Sequence, residues 1–319
     1  MKKVYKTKKY KKFNKHKSDK CIAWHQHHKN RRRKIRKTDY TTIDAPSICS
    51  VVRNDIDTIK LFSEISICIK RLIPINVNLY NVYELTPDSI LYLLLLIKEA
   101  KRKSIPLKGN SPSGKYAFEL FVKSGFYNYV HSEIDTSNIP YSNDILRIQN
   151  GNLVESTKAA YIKTFVGSHF PNYPLPQLQA LYAILIECMS NTNKHAHSVQ
   201  GRKTWWAMAV HNSQTKKIYF SFIDNGLGIP RTVRKKWHEE LFNSDADLIE
   251  KACAGKYQKS QTGKENRNQG LPQIKNYCEM GLIDNLVIIS NKGYYNVKEN
   301  KKKILKEPFI GTIISWEFV

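Results

Sequence analysis

Two short stretches of this 319-residue chain combine side chains that could hold a charged ligand. Glu187, Asn191 and His195 recur every four residues, so a helix would place them on one face with Lys194 beside them. A carboxylate and an amide on one helix stripe suit Mg²⁺, which takes oxygen ligands and keeps several waters. We expect Asn191 to bind Mg²⁺, Glu187 to polarise a water molecule as a general base, and Lys194 to neutralise phosphate charge.

The second stretch is a predicted strand that ends in an acidic residue. Residues 217–224 are rich in aromatic and β-branched side chains and end at Asp224, and Gly226 and Gly228 follow. A carboxylate at a strand end can accept a hydrogen bond from an exocyclic amine such as that of adenine. Glycines permit positive φ and the close approach of a flat ligand. Together the two stretches predict a nucleotide pocket.

The two stretches also match known motifs. Glu-x3-Asn-x2-Lys-His-Ala from Glu187 and Asp-x-Gly-x-Gly-Ile from Asp224 resemble the N-box and first glycine box of the GHKL superfamily. This superfamily includes DNA gyrase, heat-shock chaperone ATPases, histidine kinases, mismatch-repair ATPases and anti-sigma-factor kinases. Arg-Asn-Gln-Gly-Leu over 267–271 resembles the second glycine box, and Gly311 with Thr312 resembles the last box. The four motifs follow the family order over about half of the chain.

The resemblance implies an α/β-sandwich (Bergerat) ATPase domain that binds ATP and Mg²⁺. Glu187 would be the catalytic base in a member that hydrolyses ATP, Asn191 the Mg²⁺ ligand and Asp224 the adenine contact. The other residues expected to contact the nucleotide are Lys194, His195, Gly226, Gly228, Ile229, Arg267, Gly270, Leu271 and Thr312.

The segment between the glycine boxes would form the ATP lid. It runs from Arg231 to Asn266, and its part from Lys251 to Lys264 is rich in Lys, Gly, Gln and Ser. We expect that part to be mobile without nucleotide and closure of the lid on ATP to act as the switch. The second box departs from many family members, because it keeps one glycine and has Asn268 where an earlier glycine would stand.

The region before the ATPase motifs alternates between helix and strand patterns, which predicts a small α/β layer. The predicted elements are helices over 56–72, 87–101 and 115–124 and strands over 75–82 and 105–108, with a strand over 65–69 as an alternative to the first helix. Their order resembles the STAS-like domain that accompanies anti-sigma-type ATPases. Such domains can carry a phosphoacceptor in the turn that holds Thr86 and Ser89, but we expect these hydroxyls to cap the following helix.

The predicted organisation has four parts. Residues 1–40 form a basic tail, 41–135 the STAS-like α/β domain, 136–158 a polar linker, and 159–319 the GHKL-type ATP-binding domain. At 319 residues the chain is long enough for two domains that each bury a core.

The tail carries most of the charge of the chain. Residues 1–38 contain 17 Lys and Arg against one acid, out of a formal net charge of +25. Tyr5, Tyr10, Phe13 and Trp24 lie among these cations. Cations release counterions from phosphates and aromatic rings stack on unpaired bases, so the tail is predicted to contact RNA or DNA, or a nucleoprotein. The alternative is a solvated tail or one that binds an anionic protein.

A group of soft and nitrogen ligands lies in the same tail. Cys21, His25, His27 and His28 have a spacing loose enough for zinc. We favour the interpretation that these histidines are additional hydrogen-bond donors of the basic tail.

Three further features indicate a reduced, cytoplasmic protein. The longest apolar run, over 90–97, is too short to span a membrane, and the basic N-terminus lacks the apolar segment of a secretory signal. The six cysteines show no paired spacing. We therefore expect no membrane contact.

Two function classes remain open from the sequence. In the first, the chain is an ATP-dependent conformational switch or ATPase that signals through the STAS-like domain to a protein partner and through the tail to nucleic acid. In the second, it is an anti-sigma-type serine/threonine kinase that phosphorylates a partner protein. The tail favours the first class, and the domain pairing suggests an accessory ATPase in bacterial defence. A histidine kinase is disfavoured, because no paired-helix segment with a phosphoacceptor His precedes the motifs.

Overall fold

The computed structural model describes residues 40–135, 139–195, 204–257 and 270–318, with side chains up to Thr192 in the second range. Its helices are α1 (Asp55–Arg71), α2 (Pro87–Arg102), α3 (Lys115–Lys123), α4 (Ser156–His169), α5 (Leu175–His195), α6 (Ile229–Lys236), α7 (Asp245–Cys253) and α8 (Gly270–Glu279). Its strands are β1 (Thr41–Asp44), β2 (Ile48–Cys49), β3 (Ile75–Asn78), β4 (Glu84–Leu85), β5 (Leu107–Gly109), β6 (Ile145–Gly151), β7 (Trp205–Asn212), β8 (Lys217–Asp224), β9 (Asp284–Asn296) and β10 (Lys301–Phe318). The predicted α/β class is confirmed.

The first helix resolves an ambiguity of the sequence. Leu61, Phe62, Ile65, Cys68 and Ile69 are buried at helical spacing along α1, and the helix continues without interruption through 65–69. Acidic residues lie in its first turn and basic residues in its last turn, which complements the helix dipole. The alternative of a strand over 65–69 is therefore wrong.

The N-terminal strands form two small sheets. Strands β1, β3 and β5 lie side by side in that order, and β2 pairs with β4 in parallel. The strand predicted over 75–82 ends at Asn78, earlier than expected. The Asn78 side chain accepts a hydrogen bond from the backbone N–H of Tyr80 (3.2 Å), which turns the chain out of the sheet.

The C-terminal sheet has five strands in the order β6-β7-β8-β10-β9, and each neighbouring pair is antiparallel. Its edge strand β6 comes from the segment predicted as a linker. Leu146 and Ile148 are buried there despite their polar neighbours, and the pairing with β7 is irregular between Leu146 and Gln149. This irregularity obscures the strand period in the sequence.

Helices cover both faces of this sheet. On one face, Trp205, Ala207 and Ala209 share a core with α4 and α5. On the other face, the alternate residues Trp206 and Met208 join the same core as α1 and α2.

The second face is held by aromatic contacts with the N-terminal helices. The Tyr92 ring of α2 stacks on Phe309 of β10 with centroids 4.5 Å apart. The Tyr92 hydroxyl also accepts a hydrogen bond from the Ile310 backbone N–H (3.0 Å). The described residues from Thr42 onwards form one compact unit.

Among the described helices, none combines the length and apolar character needed to cross a membrane.

Candidate functional site

Two of the predicted motifs meet where helices α5 and α8 touch. A Cβ atom on Gly270, at the start of α8, would lie 3.0 Å from the Glu187 Cβ and 3.5 Å from the Asn191 Nδ2. Glycine at position 270 thus lets the second glycine box approach the polar stripe of α5. One carboxylate oxygen of Glu187, Oε2, is buried without a hydrogen-bond partner among the described residues.

Asp224 ends β8 opposite Thr312, its paired residue on β10. Its Oδ1 accepts the Gly226 backbone N–H at 2.6 Å, and both the backbone and the hydroxyl of Thr312 also hydrogen-bond the carboxylate. Burial raises the pKa of Asp224 to about 6, although these hydrogen bonds act in the opposite direction. The strand end therefore holds a fixed carboxylate with a hydrogen-bonded support, as the sequence motif predicts.

The glycine turn after Asp224 rests on strand β9. The Ser290 hydroxyl accepts the Ile229 backbone N–H (2.9 Å), and the Asn291 side chain donates to the Leu227 carbonyl (3.0 Å). Gly228 has φ +86°, and a Cβ there would lie 2.7 Å from the Ser290 Oγ. A side chain at this position would displace the Ser290 and Asn291 side chains, and the positive φ also favours glycine.

Gly311 makes the closest backbone approach at the site. Its φ is +68°, and a Cβ at this position would lie 1.8 Å from the Asp224 carbonyl oxygen. The carbonyl of Gly311 accepts a hydrogen bond from the Ser290 hydroxyl at 3.0 Å. Gly311 therefore sets the spacing between β10 and the end of β8 that holds Asp224.

Replacing Gly311 with alanine should strongly destabilise the protein. The methyl group would add a collision with Asp224 to the cost of a left-handed backbone, and we expect a loss of about 3 kcal/mol or more in the free energy of unfolding. Gly281→Ala is the matched control, because φ is +70° there and nothing lies within 4 Å of its added Cβ. We expect that control to cost only about 1 kcal/mol in urea unfolding. Equal costs for the two variants would contradict the proposed close approach.

A cavity of about 150 Å³ lies between these elements. The lining residues are Asn191, Asp224, Gly226, Leu227, Gly228, Ile229, Thr232, Val233, Lys236, Trp237, Ala252, Tyr257, Leu271, Pro272 and Thr312. The walls are mostly apolar, with one carboxylate at the strand end and one amide on α5, so the cavity suits a flat ligand with a polar edge.

The structure brings together most of the predicted site residues. The following of them line the cavity: Asn191, Asp224, Gly226, Gly228, Ile229, Leu271 and Thr312. Glu187 and Gly270 lie next to Asn191, at the contact between α5 and α8. Arg267 and the side chains of Lys194 and His195 lie outside the described residues.

Four residues that line the cavity were not predicted from the sequence. Thr232, Val233, Lys236 and Trp237 come from the segment of α6. The Trp237 ring lies 5.0 Å from the Tyr257 ring, centre to centre. The sequence of α6 is strongly amphipathic, and this pattern could have identified these residues. The apolar side of such a helix has to face either the core or a ligand.

The described part of the segment predicted as the lid is held by ion pairs. Glu240 is almost fully buried, and its carboxylate contacts the amines of Lys251 (2.9 Å) and Lys256 and the amide of Asn243 (2.7 Å). The hydrogen bonds from the two lysines lower the pKa of Glu240 to about 2. Residues 251–257, at the start of the stretch predicted to be mobile, are thereby tied to the short helical turn at 238–240. Residues 258–264 of that stretch are outside the described part of the chain.

The candidate phosphoacceptor hydroxyls, Thr86 and Ser89, are buried. Thr86 precedes α2 but does not cap it, because its hydroxyl donates to the Cys49 carbonyl (3.2 Å) and to the Asp88 carboxylate. The expected capping role of Thr86 is therefore wrong. Asp88 also accepts the Val51 backbone N–H (2.6 Å), and its burial raises its pKa to about 6.

No protein-family model matches the chain, and none of the curated proteins matches it in sequence.

Proposed function

We propose that the chain is a GHKL-type protein that binds Mg²⁺-ATP and acts as an ATP-dependent conformational switch or ATPase. One observation carries the proposal: Asn191 and the carboxylate of Asp224 line a single cavity, and Glu187 and Gly270 lie next to Asn191. These elements are far apart in the sequence. Their convergence is what a nucleotide site built from the four motifs requires.

The hydrogen-bonding groups at the end of β8 fit adenine. Asp224 supplies a carboxylate acceptor for an exocyclic amine, and Thr312 and Gly226 hold that carboxylate in place. Apolar side chains and glycine backbone flank it, which suits the two faces of a flat base. The site would prefer a base that carries an amine at this edge. A base that carries a carbonyl there would place two acceptors, the carbonyl and the Asp224 carboxylate, face to face.

The donor set on α5 fits the phosphates and their metal ion. Asn191, which lines the cavity, would offer an amide oxygen to Mg²⁺. The buried Oε2 of Glu187, which has no hydrogen-bond partner among the described residues, would accept a proton from a water molecule. When bound, ATP supplies the phosphoanhydride bond that is broken. Lys236 at the cavity wall, with Lys194 and Arg267 from the motifs, would add positive charge.

A second cavity offers a route from the nucleotide to the STAS-like region. It measures about 560 Å³ and shares Gly226 and Leu227 with the first cavity. Its other wall includes Lys98 of α2, whose amine lies 5.0 Å from the centre of the Trp206 ring. A movement of the glycine turn on nucleotide binding would change the shape of a cavity that α2 also lines, which supports a switch that transmits the ATP state to the N-terminal region.

The proposed partners follow from charge and domain order. Residues 1–38 would contact RNA, DNA or a nucleoprotein through their cations, and the STAS-like region would present a surface to a protein partner. Removing residues 1–38 should weaken nucleic-acid binding and flatten its salt dependence. Unchanged affinity would exclude the tail from this role.

The proposal is tested by titrating the full chain with Mg²⁺-ATP and Mg²⁺-GTP in a calorimeter. We expect saturable heat with ATP, weak or no heat with GTP, and slower amide hydrogen exchange over 229–257 in the ATP complex. Absence of heat with ATP would refute the proposal. Transfer of label from the γ-phosphate to a co-purified protein would identify the chain as a kinase of the anti-sigma type instead.

A further inference from the structure

Three side chains with metal-binding atoms meet on the C-terminal sheet, away from the nucleotide cavity. Asp144 precedes β6, His169 ends α4, and His211 lies near the end of β7. Their nearest ligand atoms all lie within 4.8 Å of one another. On β7, Trp205 pairs with Asp224, and His211 lies six residues further along the strand. This spacing corresponds to roughly 20 Å between His211 and the strand end that holds Asp224.

The distances between the three groups are close to those around a bound metal ion. The Asp144 Oδ1 is 2.8 Å from the His211 Nδ1 and 3.5 Å from the His169 Nε2. Two ligands bound to zinc at 2.0–2.1 Å in tetrahedral geometry are about 3.3 Å apart. The two separations lie on either side of this value, and all three atoms lie within 4.8 Å of one another. A zinc ion would replace the proton between the His211 Nδ1 and the Asp144 Oδ1, and the proton of His211 would then sit on Nε2.

The ring of His169 is already held in the orientation that metal binding needs. Its Nδ1 donates a hydrogen bond to the Phe165 carbonyl at 2.9 Å. That bond keeps the proton on Nδ1 and leaves the lone pair of Nε2 directed towards Asp144. A backbone carbonyl on the second nitrogen is the usual support of a metal-binding histidine.

Burial and charge also suit a cation at this place. The His169 and His211 side chains are only 11% and 12% exposed, whereas Asp144 is 53% exposed. The Asp144 carboxylate accepts a hydrogen bond from the His211 imidazole (2.8 Å) and faces the His169 ring. The two imidazoles are thus fixed by packing, and the open side at Asp144 leaves room for a water ligand.

We propose that Asp144, His169 and His211 form a zinc site that clamps β6, α4 and β7 together. Two imidazole nitrogens and one carboxylate oxygen favour Zn²⁺ over Mg²⁺ and Ca²⁺, which prefer oxygen ligands alone. The ion would join the segment before β6 to the end of α4 and to β7. Its role is to stabilise the edge of the sheet on the side away from the nucleotide cavity.

The test measures zinc binding to the full-length chain by equilibrium dialysis and metal analysis. Cys21, His25, His27 and His28 could bind zinc separately, so the reference protein carries Cys21→Ser with His25→Ala, His27→Ala and His28→Ala. We expect about one Zn²⁺ per reference chain and a rise of several degrees in Tm on zinc addition. Bound Co²⁺ should give the visible absorption of a four-coordinate nitrogen and oxygen site.

Two variants decide whether the cluster binds the ion. Asp144→Asn keeps an oxygen that can accept the His211 hydrogen bond but removes the charged ligand, and His169→Ala removes one nitrogen. Each should lose the ion and the Tm rise while its circular dichroism without zinc stays that of the reference. His238→Ala, in the lid, is the matched histidine control and should still bind. Zinc binding that is unchanged in both variants, or absent from the reference protein, would overturn the proposal.

Discussion

Replacing Asp224 with asparagine should lower the affinity for ATP by about 100-fold. A hydrogen bond to a charged group contributes about 1.5–3 kcal/mol, and 1.4 kcal/mol corresponds to a factor of ten. The asparagine oxygen would still accept the Gly226 N–H, which lies 2.6 Å from Oδ1 in the parent. Its amino group would then take the place of the other carboxylate oxygen and oppose the adenine amine. The variant therefore loses an acceptor and gains a repulsive donor.

Calorimetric titration with Mg²⁺-ATP at pH 7.5 measures this loss. Asp284→Asn is the control, because Asp284 forms a surface ion pair with Lys298 at the start of β9 and does not line the cavity. We expect the control to bind ATP like the parent. Equal affinity of the Asp224 variant and the parent would remove Asp224 from base recognition.

The same substitution should not unfold the protein. The pKa of Asp224 is raised from 3.8 to about 6 in the folded state, so protonation of this group favours folding. Its contribution to stability is complete below the unfolded-state pKa and is lost as the pH rises through about 6. At neutral pH the ionised carboxylate thus costs the fold on the order of 2–3 kcal/mol. The neutral asparagine removes that cost, which offsets the loss of the Thr312 hydrogen bonds that its amino group cannot accept. A stable variant that does not bind ATP would separate function from folding.

This cost is typical of a functional carboxylate, because a residue chosen only for stability would not be buried in its charged form. Asp88 has the same raised pKa, but its carboxylate accepts hydrogen bonds within the N-terminal region, from Val51 and Thr86. The difference between them is access to a ligand, since Asp224 lines the cavity. A raised pKa alone therefore does not identify the site.

The sequence predicted the parts of the site that depend on local order. The four-residue spacing of Glu187 and Asn191 is a helical period, and α5 has that form. Asp224 ends a strand because the apolar alternation stops there and two glycines follow. Both features are local and can be read from a few consecutive residues.

The parts that depend on distant strands could not be predicted in this way. Ser290 and Asn291 support the glycine turn from β9, more than sixty positions away, and nothing in their local sequence marks that contact. The stacking of Tyr92 on Phe309 joins residues that are far apart in the chain. This contact packs α2 on the second face of the C-terminal sheet. From the sequence, α2 was expected only as part of a separate small domain. Asp144 meets His211 across 67 positions for the same reason. Such contacts are set by strand order, which local periodicity does not encode.

Replacing Glu187 with glutamine should slow ATP hydrolysis by about 10²–10⁴-fold, the usual contribution of a general base. Glutamine has nearly the same shape, so it can keep the contact with Gly270, whose Cβ position lies 3.0 Å from the Glu187 Cβ. It cannot take a proton from water. We expect the Kd for Mg²⁺-ATP to change by less than about threefold, since the cavity is lined by other residues.

Phosphate release under saturating ATP, together with calorimetric binding, measures the two effects separately. Glu279→Gln is the matched control, because Glu279 ends α8 in an exposed ion pair with Lys275 (2.8 Å). That variant should hydrolyse ATP like the parent. Equal turnover in the Glu187 variant and the parent would exclude Glu187 as the base. Absence of turnover in the parent itself, with ATP binding intact, would mean that the bound nucleotide acts through closure of the lid alone.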